Sequence, residues 1–245
     1  MLVLGLDTAT PAVSAALHDG QRVISQACTV DARRHSELLA PMIAKVMADA
    51  GASRGDLTGI AVGVGPGPYT GLRVGVVTAR VLGSVLGLPV HGVCSLDVIA
   101  VAARGGLGPP PETAELARSS PRAGTVPAGE EFLVATDARR HEVYWARYDA
   151  AGRRVDGPHV GRASSIAGAA ELTVAGAGGQ LYPEAFGEVA GPAYPDARTL
   201  CEIVAGRLAG AAEPPIRPPL LAAEPLYLRR PDAREPGPPK RVTPS

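Results

Sequence analysis

Leu4-Gly5-Leu6-Asp7-Thr8-Ala9-Thr10 is an apolar run stopped by an acid and a turn, and its pattern returns later as Val134-Ala135-Thr136-Asp137. After the first copy, Ala12 to Leu17 form a second apolar run. His18-Asp19-Gly20-Gln21 is a hairpin signal, and Val23 to Ala27 reads as a third strand. After the second copy come Val143-Tyr144-Trp145-Ala146, then Asp149-Ala150-Ala151-Gly152 and Val155. The intervals Asp7 to Asp19 and Asp137 to Asp149 are both twelve residues. A βββ opening used twice predicts two related α/β lobes with a cleft between them. The expected division is an N-terminal lobe at 1–103, a linker or insertion at 104–130, a C-terminal lobe at 131–212 and a strap or tail at 213–245.

Between the copies the period changes. Leu38, Leu39, Met42, Ile43, Val46 and Met47 recur at helical spacing, which predicts a helix over roughly 33–50 with Pro41 near its first turn. Ile60 to Val64 reads as a buried strand. The turn Gly65-Pro66-Gly67-Pro68-Tyr69 follows, and then a second helix capped by Thr70 that runs to about Leu86. That helix carries Gly71, Gly75, Ala79 and Gly83 at intervals of four, with Val74, Val77, Val81 and Val85 on another side. A face of small residues lets a second helix approach closely, inside the fold or from a partner. Residues 104–130 hold five Pro and five Gly without apolar periodicity, and ten of the 33 residues from Glu213 onward are proline. The first segment reads as flexible, the second as extended.

Composition narrows the function classes. Of 245 residues 46% are apolar and 20% charged, and 24 basic residues balance 24 acidic ones. Collagen, coiled coil, wholesale disorder and a polybasic nucleic-acid surface over the whole chain are excluded. Cys28, Cys94 and Cys201 lie far apart without a C-x-x-C spacing, which fits reduced thiols in a cytosol. No signal peptide is expected, because Asp7 comes too early and no basic segment precedes the apolar run. No membrane span is expected either, because Val81 to Val93 is too short and is broken by Pro89.

Asp7-Thr8-Ala9-Thr10 after a strand resembles the phosphate-facing hairpin of the actin-like ATPase fold, where a carboxylate serves a metal-bound nucleotide and turn amides meet phosphate. A hairpin turn with an Asx or ST hydrogen bond explains it equally simply. In the second copy, Asp137-Ala138-Arg139-Arg140-His141 puts bulky side chains where a phosphate loop wants glycine. Gly63 to Gly71 matches neither G-x-G-x-x-G nor a P-loop, and Gly176-Ala177-Gly178-Gly179 suits either an adenosine or a plain strand-to-helix loop. Asp7, Thr8, Asp137, Gly176 and Gly178 are therefore candidates for a vestigial nucleotide site. The five histidines are scattered, so no metal site is expected, and no G-x-S-x-G elbow supports a Ser-His-Asp triad.

Taken with Arg34-His35-Ser36-Glu37-Leu38-Leu39-Ala40-Pro41, the block Gly65-Pro66-Gly67-Pro68-Tyr69-Thr70-Gly71-Leu72-Arg73, Asp137-Ala138-Arg139-Arg140 and Pro225-Leu226-Tyr227-Leu228-Arg229, these stretches resemble the bacterial TsaB family of tRNA threonylcarbamoyladenosine biosynthesis proteins. The resemblance implies an α/β actin-like ATPase fold (ASKHA, ribonuclease H-like) in a chain that is not itself the catalyst. It supports TsaD, the subunit that transfers threonylcarbamoyl to the adenosine beside the tRNA anticodon. In TsaD a His-x-x-x-His metal pair follows the corresponding helix; here those positions hold Ser95 and Ile99, which do not ligate a metal as imidazole does.

The resemblance further implies a heterodimer with TsaD through the two N-lobe helices. The candidate interface residues are Leu39, Ile43, Val46, Met47, Gly71, Val74, Gly75, Ala79 and Gly83. Which helix face meets the partner and which meets the chain's own sheet stays open at this stage. TsaE is a further expected partner, tRNA is bound mainly through the complex, and a homodimer through the same helices is expected when the partner is absent. No cofactor is expected beyond weak nucleotide binding, and the location is cytoplasmic. Two rivals are an actin-like small-molecule kinase built around Asp7 and Asp137 and a metallopeptidase; Arg139 and Arg140 disfavour the first, the missing ligand pair the second.

Overall fold

A computed structural model describes residues 1–105, 125–210 and 218–229. Strands β1 (Val3–Asp7), β2 (Ala12–His18) and β3 (Val23–Val30) form an antiparallel meander, and β4 (Gly59–Gly63) and β5 (Val90–Val93) join β1 in parallel. The order is β3-β2-β1-β4-β5. Alternation along the strands sorts the side chains onto two faces. Leu4, Leu6, Val13, Ala15, Leu17, Ile60 and Val62 pack with helices α1 (His35–Asp49) and α2 (Tyr69–Leu86). Val3, Ala16 and Ala61 point the other way.

The second sheet repeats the plan. Strands β6 (Phe132–Asp137), β7 (Val143–Tyr148) and β8 (Arg154–Gly161) form the meander, β9 (Thr173–Ala175) is parallel to β6, and the order is β8-β7-β6-β9. Asp7 and Asp137 close the first strand of each lobe, and the Asp19 and Asp149 carboxylates accept backbone N–H groups in the second turn of each. Helix α3 (Ser95–Ala103) lies between the sheets: Val98 and Val101 face the first, while Leu96, Ile99 and Ala100 face Phe132, Val134 and Tyr148 of the second. A short helix α4 (Ala177–Leu181) follows β9, and α5 (Ala197–Leu208) comes after it.

Helix α5 links the two halves of the chain. This helix belongs in sequence to the 131–212 segment but packs on the first sheet, where Leu200, Cys201 and Val204 meet Val3, Ala16 and Ala61. Gly5 permits that approach, since a Cβ there would lie 2.5 Å from Cys201 Sγ and 2.8 Å from the Ala197 carbonyl. Two helix starts also differ from expectation. Helix α1 begins at His35, so Pro41 falls in its second turn, on the solvent side, where the Glu37 carbonyl it deprives of a donor can meet water. Helix α2 is headed by Pro68, whose carbonyl accepts the Leu72 N–H at 3.0 Å, and Thr70 is an exposed first-turn residue rather than the cap.

Residues 218–229 run as a strap across both lobes. Leu221 exchanges two 2.8 Å backbone hydrogen bonds with Gly92, the Leu226 N–H donates to the Val64 carbonyl at 2.8 Å, and Arg229 reaches the Ala138 carbonyl at 3.1 Å and the Glu142 carboxylate. The rest of the expected tail, and residues 106–124 of the expected insertion, lie outside the described residues. Where that insertion leaves and rejoins, Arg104 lies over the Phe132 ring and donates to the carbonyls of Pro127 and Glu130.

Candidate functional site

The turn after β1 is closed upon the chain itself. Asp7 is fully buried; its Oδ1 accepts the Ala9 N–H at 2.8 Å and its Oδ2 accepts the Ser95 hydroxyl at 2.8 Å. Gly63 stands against this carboxylate because any Cβ there would overlap Oδ2. Burial pushes the Asp7 carboxyl up to about 6, against the opposing pull of those two hydrogen bonds. Thr8 is equally enclosed: its hydroxyl donates to the Gly71 carbonyl and accepts the Gly75 N–H, both at 2.8 Å. The side-chain oxygens that would face a phosphate in an open turn are spent on the chain's own loops and helix.

The turn after β6 behaves differently. Arg139, Arg140 and His141 all take left-handed backbone conformations, with φ of 62°, 56° and 60°. For residues with a Cβ that costs roughly 1–2 kcal/mol each. The turn is held by Asp137, which accepts the Arg139 N–H at 2.7 Å and pairs with its guanidinium at 3.2 Å, and by Arg229 of the strap. Gly176 and Gly178 are buried against the Ala135 backbone, where side chains would overlap it. The N–H groups of Gly176 and Ala177 are taken by the carbonyls of Pro192 and Ala193 at 3.0 and 2.8 Å. Of the five nucleotide-site candidates, Asp7, Thr8, Gly176 and Gly178 are thus enclosed by close packing, and only Asp137 reaches the surface.

Helix α2 carries two ridges of residues four apart. Gly71, Gly75, Ala79 and Gly83 point inward: a Cβ at Gly75 would lie 2.6 Å from Thr8 Oγ1, and one at Gly83 would overlap Val90. An offset of two residues is about 200° on a helix, so the ridge Tyr69, Arg73, Val77, Val81 and Val85 points outward. Val77, Val81 and Val85 are 48%, 55% and 76% exposed. Tyr227 of the strap stacks near Tyr69 with ring centroids 5.1 Å apart, and Arg73 bonds the Tyr69 hydroxyl at 2.8 Å. Beside this ridge an open groove of about 470 Å³ is lined by Arg80, Ser84, Leu88, Val90, Ala222 and Glu224.

The expected interface residues fall on both sides of this division. Gly71, Gly75, Ala79 and Gly83 serve packing within the lobe. Leu39, Val46 and Met47 are buried in the first core with Ile43 half-buried beside them, which leaves Val74 at the border of the exposed face. Gly75→Ala is accordingly expected to destabilise the chain by about 2–3 kcal/mol, through overlap and the loss of Thr8 hydrogen bonds. Urea unfolding checks this; a variant with wild-type stability would contradict the inward orientation.

Comparison with known proteins agrees with this architecture. The TsaD family model, described as tRNA N6-adenosine threonylcarbamoyltransferase, matches residues 23–184. The chain is 31% identical over 149 residues to the Escherichia coli tRNA threonylcarbamoyladenosine biosynthesis protein TsaB, an overlap of 60% of this chain and 55% of that one. YeaZ from Pseudomonas aeruginosa superimposes with a TM-score of 0.66 at 28% identity, over 93% of this chain and 99% of its own. This chain is a TsaB-like member of the TsaD family. An uncharacterized protein of Mycobacterium leprae is 41% identical over 239 residues, 95% of this chain but 56% of that relative. The chain therefore spans just over half the length of these two relatives.

In this TsaB-like chain Ser95 and Ile99, the two positions singled out against a histidine pair, are both buried. Ser95 instead links the lobe's loops: its hydroxyl donates to Asp7 and accepts the Gly65 N–H at 3.2 Å. Among the described residues no group of three or more His, Cys, Asp or Glu is arranged to hold a metal. Two residues on, Asp97 crosses to the second lobe, accepting the Tyr148 hydroxyl at 2.7 Å and facing Arg154 Nε at 3.3 Å. Burial raises the Asp97 carboxyl, and Arg154 counters it. Neither this cluster nor the Thr8 contact was foreseen, because both join residues more than fifty positions apart that carry no local pattern.

Proposed function

We propose that this chain is a non-catalytic scaffold subunit in the formation of threonylcarbamoyladenosine on tRNA, and that it docks the threonylcarbamoyltransferase subunit through the outward ridge of α2. The observation that carries the reading is that ridge: three valines at helical spacing, each about half exposed or more, on a helix whose other side is fully engaged. A contiguous apolar face on a folded chain is a feature of interaction sites. The names of the E. coli relative and of the matching family supply the pathway. The buried Asp7 carboxylate and the bulky Arg139-Arg140-His141 turn support an absence of catalysis by the isolated chain, with at most weak nucleotide binding.

The further partners are an ATPase subunit of the TsaE type and, through the complex, tRNA; the location is the cytoplasm. Among the described residues no helix is long and apolar enough to cross a membrane. Reconstitution tests the reading. The purified chain is mixed with its organism's TsaD, TsaE and the enzyme that makes threonylcarbamoyl-adenylate, and tRNA modification is assayed with the chain present and omitted. Modification is expected to depend on the chain, which alone turns over neither ATP nor peptide. Modification that proceeds equally without it would return the kinase reading to first place.

A further inference from the structure

We propose that Thr8 is a positioning residue for the docking helix. Its hydroxyl, set into α2 between the Gly71 carbonyl and the Gly75 N–H, holds the helix in the shape that presents the outward ridge to its partner. This role rests on the scaffold reading above.

Gly71 C=O and Gly75 N–H are the two ends of one i→i−4 step of the helix, and a buried hydroxyl bonds both at 2.8 Å. A side chain bonded to both ends of that step fixes the local position of the helix backbone. The two glycines make the entry possible. A Cβ at Gly75 would lie 2.6 Å from the hydroxyl, and one at Gly71 would lie 3.0 Å from the Thr8 carbonyl and 3.3 Å from His35 Nε2. The same turn also holds α1, since Nε2 of His35, the first residue of that helix, lies 2.8 Å from the Thr10 carbonyl.

The turn that would meet phosphate in an open actin-like cleft is therefore a seat for both helices. The contact holds α2 on the side opposite Tyr69, Arg73 and Val77, and so fixes the backbone from which the exposed ridge projects. Packing alone would be served as well by valine, which has the shape of threonine without the hydroxyl. The hydrogen-bonding role needs the oxygen.

The test compares wild type, Thr8→Val and Thr8→Ser for affinity to the purified threonylcarbamoyltransferase subunit. It is run at a temperature where circular dichroism shows each chain folded, so that stability changes alone leave Kd unmoved. Thr8→Val is expected to bind about tenfold more weakly, which corresponds to about 1.4 kcal/mol. Thr8→Ser is expected to stay within twofold of wild type. If Thr8→Val does not fold, Thr8→Ala takes its place with the same expectation. A folded hydroxyl-free variant that binds like wild type overturns the positioning role, and so does an equal loss in Thr8→Ser. A wild-type chain that does not bind the transferase overturns the scaffold reading itself and this role with it.

Discussion

Val77→Asp combined with Val81→Asp is expected to weaken binding to the transferase subunit more than a hundredfold while leaving the chain folded. Both side chains are about half exposed, so removing them opens no cavity in the lobe, and surface changes of this kind usually shift stability by less than about 0.5 kcal/mol. In a docked complex the same positions would lie under the partner. There each carboxylate carries a desolvation cost of several kcal/mol. Truncating central anchors of an interface already costs about 2 kcal/mol or more each, and two buried charges exceed that. Calorimetric titration of the double variant, with a thermal melt as control, reads both halves. Binding within threefold of wild type would show that α2 does not meet the partner.

The same variant separates two ways of covering an exposed apolar ridge. Where the chain self-associates in the absence of a partner, the double variant should sediment as a monomer, because one face serves both contacts. The inward ridge makes the opposite forecast. Substitutions at Gly75 or Gly83 act on folding before they act on binding, since those positions have no room even for a methyl group.

The topology was legible because the sequence writes it twice. The twelve-residue spacing from Asp7 to Asp19 and from Asp137 to Asp149 marks equivalent turns in two sheets whose first four strands follow the same order. The choice of faces on α2 was not legible for a specific reason. Both ridges repeat every fourth residue and the outward one is apolar from Val77 on, so periodicity cannot tell the buried one from the exposed one. Only the space around Gly75, filled by a threonine from a distant turn, decides it. Helix α5 eluded the reading for a related reason: its apolar stripe predicts burial but not which sheet receives it, and Gly5, the residue that admits it, looks like any strand glycine. The strap has neither period two nor period 3.6, yet its backbone pairs with Gly92 and Val64, because a single bridge needs no side-chain pattern.

Asp7→Asn tests the closed turn through its response to pH. Burial holds the Asp7 carboxyl near 6 in the folded chain, against about 3.8 when unfolded. Between those values the folded state holds the proton more tightly, so the number bound is greater in the folded than in the unfolded chain. Stability from this group is then fully present below about pH 4 and is lost as pH rises through 6. A shift of about two units is worth roughly 3 kcal/mol, since one unit is 1.36 kcal/mol. Asparagine is neutral throughout, can accept the Ala9 N–H through its oxygen and can reach Ser95 through its amide. Urea unfolding at pH 4, 5, 6 and 7 should therefore give two curves that diverge as pH rises, with the variant the more stable at pH 7. In thermal terms the gap is about 6–10 °C for a chain of this size. Parallel curves would mean that Asp7 ionises freely against solvent. A carboxylate open in that way is what the nucleotide-cleft reading of this turn requires, and what its enclosure by Gly63, Ala9 and Ser95 argues against.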